Sequence, residues 1–199
     1  AKKMVGRVVG VDVTRAMLDQ VDTSGPAKIE LHEHDTGTFE PEPGAFDVAT
    51  AYSFIHHLFE VESTFKTAAK GLKPGGLFYC DLEPNAYFWE AIQALDPNGK
   101  YDKLVAREIE PLTHNDKEIA EKYGFADSVV ADSEFHKTAS GGFKEETLRE
   151  QLLRAGFSKV EIRYYWYLGQ ALVVNEEGLP VDVRRATALS FDEVLAKAL

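Results

Sequence analysis

The chain has 199 residues, 44% of them hydrophobic, which suits one domain over residues 1–199 with a substantial core and excludes an intrinsically disordered segment. A formal charge of -11 and a pI near 5.0 disfavour a nucleic-acid backbone or an anionic membrane as the main partner and favour a small neutral or cationic ligand. The single cysteine, Cys80, forms neither an internal disulfide nor a metal cluster; with no apolar run of spanning length and no secretory-signal order at the start, a cytoplasmic protein is expected.

The first informative stretch is Arg7 to Leu18, RVVGVDVTRAML. Val8, Val9 and Val11 suit a buried strand that stops at Asp12, and Thr14 is placed to cap a helix carrying Met17, Leu18 and Val21. A carboxylate at the carboxyl end of a parallel strand faces the crevice where open α/β sheets bind ligands, and it can accept hydrogen bonds from both hydroxyls of a ribose. The plainer reading is an acid that closes a strand and starts a turn. Thr23-Ser24-Gly25-Pro26 is turn chemistry, and Ile29 and Leu31 then alternate with Glu30 and His32 towards Asp35, as in a half-exposed strand near a sheet edge. His32 and His34 share one strand face, but no third ligand accompanies them and no metal is expected.

Phe46 to Tyr52, FDVATAY, reads as a nearly continuous buried strand, and SFIHHL, Ser53 to Leu58, follows it at the rim of Asp12 and Asp35. Val61, Phe65, Ala68, Ala69 and Leu72 fall at helical spacing, and Lys73-Pro74-Gly75-Gly76 stops that helix before a buried strand at Leu77 to Leu82. Three strand–helix repeats in a row imply a parallel sheet with right-handed crossovers. A helix is expected from about Ala86 to Leu95. From residue 96 to 142 the alternation breaks into a polar insertion, too long for a plain connection, that is expected to cover the crevice as a lid or acceptor-site wall. Within it, Asp116 to Tyr123 suits a helix and Ala131 to Lys137 a strand or irregular wall. Leu148, Leu152 and Ala155 mark a helix closed by Gly156, Val160 to Tyr167 alternates as a strand, and Gln170 to Val174 reads either as a returning strand or as a helix start. Ser190 and Glu193 form a capping box for a last helix to Leu199.

In order and spacing, VVGVDVTRAML, His34-Asp35, FDVATAYSFIHHL, LKPGG and EETLREQLLRAGF resemble the class I S-adenosylmethionine-dependent methyltransferases, especially those that modify small molecules. The resemblance implies an α/β, three-layer Rossmann-like sandwich whose mostly parallel, twisted sheet carries helices on both faces. It also implies S-adenosylmethionine as cofactor and a small-molecule methyl acceptor as substrate. Carried over position by position, Asp12 would hold the ribose hydroxyls with Val13 beside the adenine. Asp35 would accept from the adenine amino group and the Thr36 N–H would serve the ring nitrogen, while Ala51, Tyr52 and Ser53 would floor the methionine part.

His57 and His56 stand at the right rim to act as base for a hydroxyl or acidic-carbon acceptor, although a histidine at a helix start is as often a cap or packed side chain. Glu83, Asn85, Tyr87 and Trp89 follow the next strand end and are expected to line the acceptor. In the family a strand and a glycine-rich loop precede the Asp12 strand, whereas only Ala1 to Gly6 stands before it here. Either the chain is a fragment or the Asp12 strand pairs directly with Phe46 to Tyr52, and weak cofactor binding is expected unless another segment supplies the loop. Unpaired strand edges would also favour a homodimer. Two other classes stay open: a catalytically inactive methyltransferase-like binding or dimerisation module, and a nicotinamide-dependent dehydrogenase, which would need its own glycine loop.

Overall fold

The computed structural model describes residues 5–96, 98–110, 112, 136, 141–164, 173 and 175–198. The chain divides into two compact units, the first comprising Ala1–Tyr52, Glu60–Asp81 and Arg149–Val160, the second Ser53–Phe59, Leu82–Leu148 and Glu161–Leu199.

The first unit is an α/β assembly with parallel strands. Strand β1 (Arg7–Asp12) leads into a short helix α1 (Arg15–Leu18), and β2 (Lys28–Glu33) pairs with β1 in parallel, Asp12 opposite Glu33. A Cβ on Gly10 would stand 2.9 Å from the Leu31 side chain, so glycine there lets the two strands close on each other. Strand β3 (Phe46–Tyr52) pairs in parallel with β4 (Leu72–Asp81), and helix α2 (Glu62–Gly71) connects them. Lys73-Pro74-Gly75-Gly76, expected to be a helix stop alone, is drawn into the start of β4. The register slips there between Phe46 and Val48 and Gly75 takes φ +80, because proline and a left-handed glycine cannot hold a regular ladder.

Two expectations need correction. Strand β3 is not continuously buried: Ala51 is, but Val48 is 52% and Tyr52 65% exposed. The strand alternates, because only the face carrying Ala51 and Phe78 is covered, by Phe65 of α2 and by Phe157, each with its ring 5.7 Å from that of Phe78. Nor does β1 pair with β3 among the described residues; the ladders are β1–β2 and β3–β4.

The second unit contains a 3₁₀ turn (Ile55–His57), helix α3 (Ala86–Ala94), a helical stretch at 103–110, α4 (Glu145–Ala155), which both units share, and α5 (Val181–Ala198). Its core joins Phe88, Ala91 and Ile92 of α3 to Val105, Phe191 and Leu195. Val105 belongs to the polar insertion, so the start of that segment supplies core to this unit. Helix α4 ends as expected, with Gly156 at φ +113 and the N–H groups of Gly156 and Phe157 donating to the carbonyls of Leu153 and Leu152.

Helix α5 begins nine residues before Ser190, which lies inside it. Pro180 is pre-organised to open a helix, Asp182 suits its first turn, and the Arg184 N–H donates to the Pro180 carbonyl. Val160 to Tyr164 carries no ladder. Residues 165–167 of that expected strand, the proposed helix at Asp116 to Tyr123, all of Ala131 to Lys137 but His136, and most of Gln170 to Val174 lie outside the described residues. Among the described residues no helix is long and apolar enough to cross a membrane.

Candidate functional site

In the first unit, Asp12 and Asp35 follow the carboxyl ends of two strands that run side by side in the same direction, so both stand at one rim of the β1–β2 ladder. Each is held by its own local turn. Asp12 Oδ1 accepts from the Thr14 N–H at 2.6 Å, and this bond, rather than the Thr14 hydroxyl, starts α1. Asp35 Oδ1 accepts from the N–H groups of Gly37 at 2.8 Å and Thr38 at 3.1 Å. A Cβ on Gly37 would come within 3.1 Å of Asp35 Oδ1 and 2.4 Å of Ser63 Oγ, so this tight turn requires glycine.

Thr36 is tied sideways by its hydroxyl, 2.9 Å from that of Thr64. Among the described residues its N–H finds no acceptor, which leaves a fixed donor beside an exposed carboxylate. Val13 is 64% exposed between the two acids in sequence, with nothing in the core to occupy it. Ala51 and Tyr52 end β3 with side chains on opposite faces, Ala51 buried and Tyr52 exposed, so only one of the two side chains can line a given surface. The imidazoles of His32 and His34 pack on Phe39, with ring centres at 5.2 and 5.7 Å.

The chain beyond the ends of β3 and β4 is held differently. Tyr52 and Asp81 are cross-strand partners, and the residue after each, Ser53 at φ +49 and Leu82 at φ +57, takes the left-handed conformation that non-glycine residues rarely adopt. Beyond these two bends, Glu83 turns its carboxylate onto the segment after Ser53. Oε1 accepts from the N–H of Phe54 at 2.8 Å and of Ile55 at 3.0 Å. Oε2 accepts from the N–H of His56 at 3.1 Å and lies 2.7 Å from His56 Nδ1. The pair is buried, with side-chain exposures of 7% for His56 and 10% for Glu83. Burial pushes the Glu83 carboxyl up, but the bonds from the His56 imidazole and the two N–H groups prevail and hold it below the usual glutamate value. His57 is exposed, its ring centre 4.0 Å from that of His56 at an interplanar angle of 45°.

The other residues expected to meet an acceptor divide between structure and surface. Asn85 caps α3, accepting from the Tyr87 N–H at 2.9 Å. Trp89 packs against the core cluster, its ring 5.3 Å from that of Phe88. The Tyr87 hydroxyl bonds both oxygens of Glu146, at 2.9 and 3.1 Å, and its ring meets that of Tyr164 edge-on at 5.9 Å. The bond to Glu146 raises the Tyr87 phenol, while burial and then the bond to Glu145 raise that of Tyr164.

The sequence pattern did not reveal two contributors. Phe143 bridges to Asn85: its N–H donates to the Pro84 carbonyl at 2.8 Å and its carbonyl accepts from Ala86 at 3.0 Å. His136 stacks on Phe143 at 4.6 Å; burial, then the neighbouring His56, hold its imidazole below the usual range while Glu83 opposes them. The Asn85–Gly142–Phe143 approach was marked by Gly142, whose Cβ would collide with the Ala86 nitrogen at 2.7 Å, whereas His136 stands in a stretch with no periodicity to flag it.

Residues 1–80 match the family model described as a methyltransferase domain. Among solved structures, the chain is similar to an S-adenosylmethionine-dependent methyltransferase from Mesorhizobium loti, at 20% identity and a TM-score of 0.50, over 80% of this chain and 68% of that one. It is also matched to a possible exported protein from Bordetella parapertussis at 19% identity and a TM-score of 0.44, over 77% of this chain but only 47%, about half, of that protein's length. No curated protein matches. The resemblance carried by Asp12, Asp35 and the LKPGG segment is thus borne out, and the fold is that of the Rossmann-like class I methyltransferases.

Proposed function

We propose that this chain, whose residues 1–80 match the family model of a methyltransferase domain, transfers a methyl group from S-adenosylmethionine to a small-molecule acceptor. The observation that carries the reading is the pairing of Asp12 and Asp35 at one rim of parallel strands beside the Thr36 N–H.

The donor set fits an adenosyl group. Asp12 spends one lone pair on the Thr14 N–H and keeps acceptor capacity for the ribose hydroxyls, and Asp35 likewise keeps its second oxygen for an exocyclic amine. The Thr36 N–H supplies the complementary donor to a ring nitrogen, with exposed Val13 as an apolar surface for the base. The strand end at Ala51, Tyr52 and Ser53 is proposed to meet the methionine part, through backbone and one of the two opposed β3 side chains. When bound, the cofactor supplies an electrophilic methyl on a positively charged sulfur. An acceptor's lone pair would take that methyl, and the electron pair of the broken sulfur–carbon bond would stay on a neutral thioether. The chain's own task is then to orient the acceptor and remove its proton.

His57 is the proposed base, since its exposed imidazole can meet an acceptor, whereas the His56 ring is buried on Glu83. Tyr87 is the proposed acceptor contact. The structure gives Glu83, Asn85 and Trp89 work within the fold, as clamp, cap and core. The test is production of S-adenosylhomocysteine from S-adenosylmethionine with a panel of phenols, amines and carboxylic acids. Turnover lost in His57→Gln supports the reading. Binding of S-adenosylhomocysteine without turnover on any acceptor would favour the inactive binding module instead.

A further inference from the structure

Glu83 combines features that a structural turn acid does not need together. It is buried, it reaches 27 to 29 residues back in sequence, and its two oxygens accept from three successive N–H groups and one imidazole. It also stands directly after one of two left-handed non-glycine bends that follow a cross-strand pair. A carboxylate only accepts hydrogen bonds, so the 2.7 Å contact requires the proton of His56 to sit on Nδ1. The backbone bond from His56 to the same oxygen fixes the ring's approach at both ends. Against this buried ring lies the exposed imidazole of His57, with ring centres at 4.0 Å.

We propose that Glu83 is a positioning residue for the methyl transfer inferred above: it locks His56 in one tautomer and clamps the Phe54–His56 turn, and His56 in turn holds His57 towards the acceptor. The proposal rests on that functional reading for its catalytic consequence, but its geometry can be tested without turnover. Carboxylates that orient a histidine through its second nitrogen serve this purpose in unrelated sites, because a mobile base loses the alignment that proton transfer needs. Among the described residues, Glu83, His57 and His136 bear on the His56 ring, so a pH profile must be read against all three.

The experiment labels the histidines of the full chain with ¹⁵N and records the imidazole nitrogens of the wild type, Glu83→Gln and His57→Gln across pH 5 to 9. In the neutral wild type His56 is expected to be protonated on Nδ1. In Glu83→Gln the amide oxygen can keep the Phe54 and Ile55 donors while its NH₂ faces the ring and no longer accepts from the His56 N–H, so the ring proton should move to Nε2. With an acceptor that turns over, Glu83→Gln should lower kcat by on the order of tenfold or more, leave the KM for S-adenosylmethionine within about twofold, and move the acidic limb of the pH profile; Glu83→Asp should recover part of the loss.

A wild-type His56 protonated on Nε2 alone would overturn the proposal even if the variant failed to fold. An unchanged kcat and pH profile in a folded Glu83→Gln would overturn it too. Failure of the wild type to bind S-adenosylhomocysteine would instead sink the methyl-transfer reading, with the tautomer measurement still deciding Glu83.

Discussion

The acids at the two strand-end rims are held in opposite ways. In the first unit Asp12 and Asp35 bond to N–H groups two and three residues on, within local turns near the surface, and their carboxylates retain acceptor capacity. In the second unit Glu83 is buried, reaches back across the connection between two strands, and has both oxygens engaged by the chain. An acid that is to hold a ligand must keep lone pairs facing solvent, whereas an acid that fixes other residues is most effective when saturated and dry. The same residue class at the same kind of strand end therefore implies different roles, and burial is what separates them.

The largest effect expected lies in the core of the second unit. Phe88 is fully buried among Ile92, Val105, Phe191 and Leu195, so Phe88→Ala should cost about 3 to 5 kcal/mol in chemical denaturation. A loss below 1 kcal/mol would mean that this cluster is not the core of that unit. Next, Asp12→Ala should weaken an adenosyl ligand by about 1.5 to 3 kcal/mol, the range for hydrogen bonds to a charged group, and lose about 0.5 to 2 kcal/mol of stability with the bond that starts α1. Calorimetry with S-adenosylhomocysteine checks the first part and thermal unfolding the second; equal affinity would remove Asp12 from the site.

Glu83→Gln should cost about 1 to 3 kcal/mol of stability through donors left poorly satisfied while leaving the adenosyl affinity intact. That cost should depend on pH with a definite sign. Because the folded carboxyl lies below its ordinary value of 4.5, the stabilisation is fully present above that value and is lost as pH falls through the lowered one. The wild type and Glu83→Gln should accordingly converge in acid, and a gap that widens there would contradict the buried, ionised carboxylate. At the small end, Val48→Thr on the uncovered face of β3 should stay within about 0.5 kcal/mol. A larger loss would show that something covers that face in solution.

Much of the first unit was legible because its signals are local. The Val8–Val11 run and the strand-end acids each act within a few residues, and the parallel pairing of β1 with β2 follows from the strand–helix order. Burial of β3 was not legible, since FDVATAY has the same apolar content whether one face or two are covered. Nor was the saturation of Glu83, which depends on a register, Tyr52 opposite Asp81, that brings two distant bends together. The start of α5 was misplaced because Ser190 and Glu193 carry the pattern of a cap, although Pro180 and Asp182 already open the helix upstream. His136 had no signal, as its place depends on the Phe143 bridge rather than on its neighbours in sequence.

The measurement that tests the central claim most directly is an amide-resolved titration of the full chain with S-adenosylhomocysteine, raised to millimolar concentration so that weak binding is still seen. The account predicts saturable shifts centred on the N–H groups of Val13, Thr14, Thr36 and Gly37, lost together in Asp12→Ala and retained in Glu83→Gln. Shifts confined to other residues, or none at those four up to that concentration, would contradict an adenosyl site at the rim of β1 and β2.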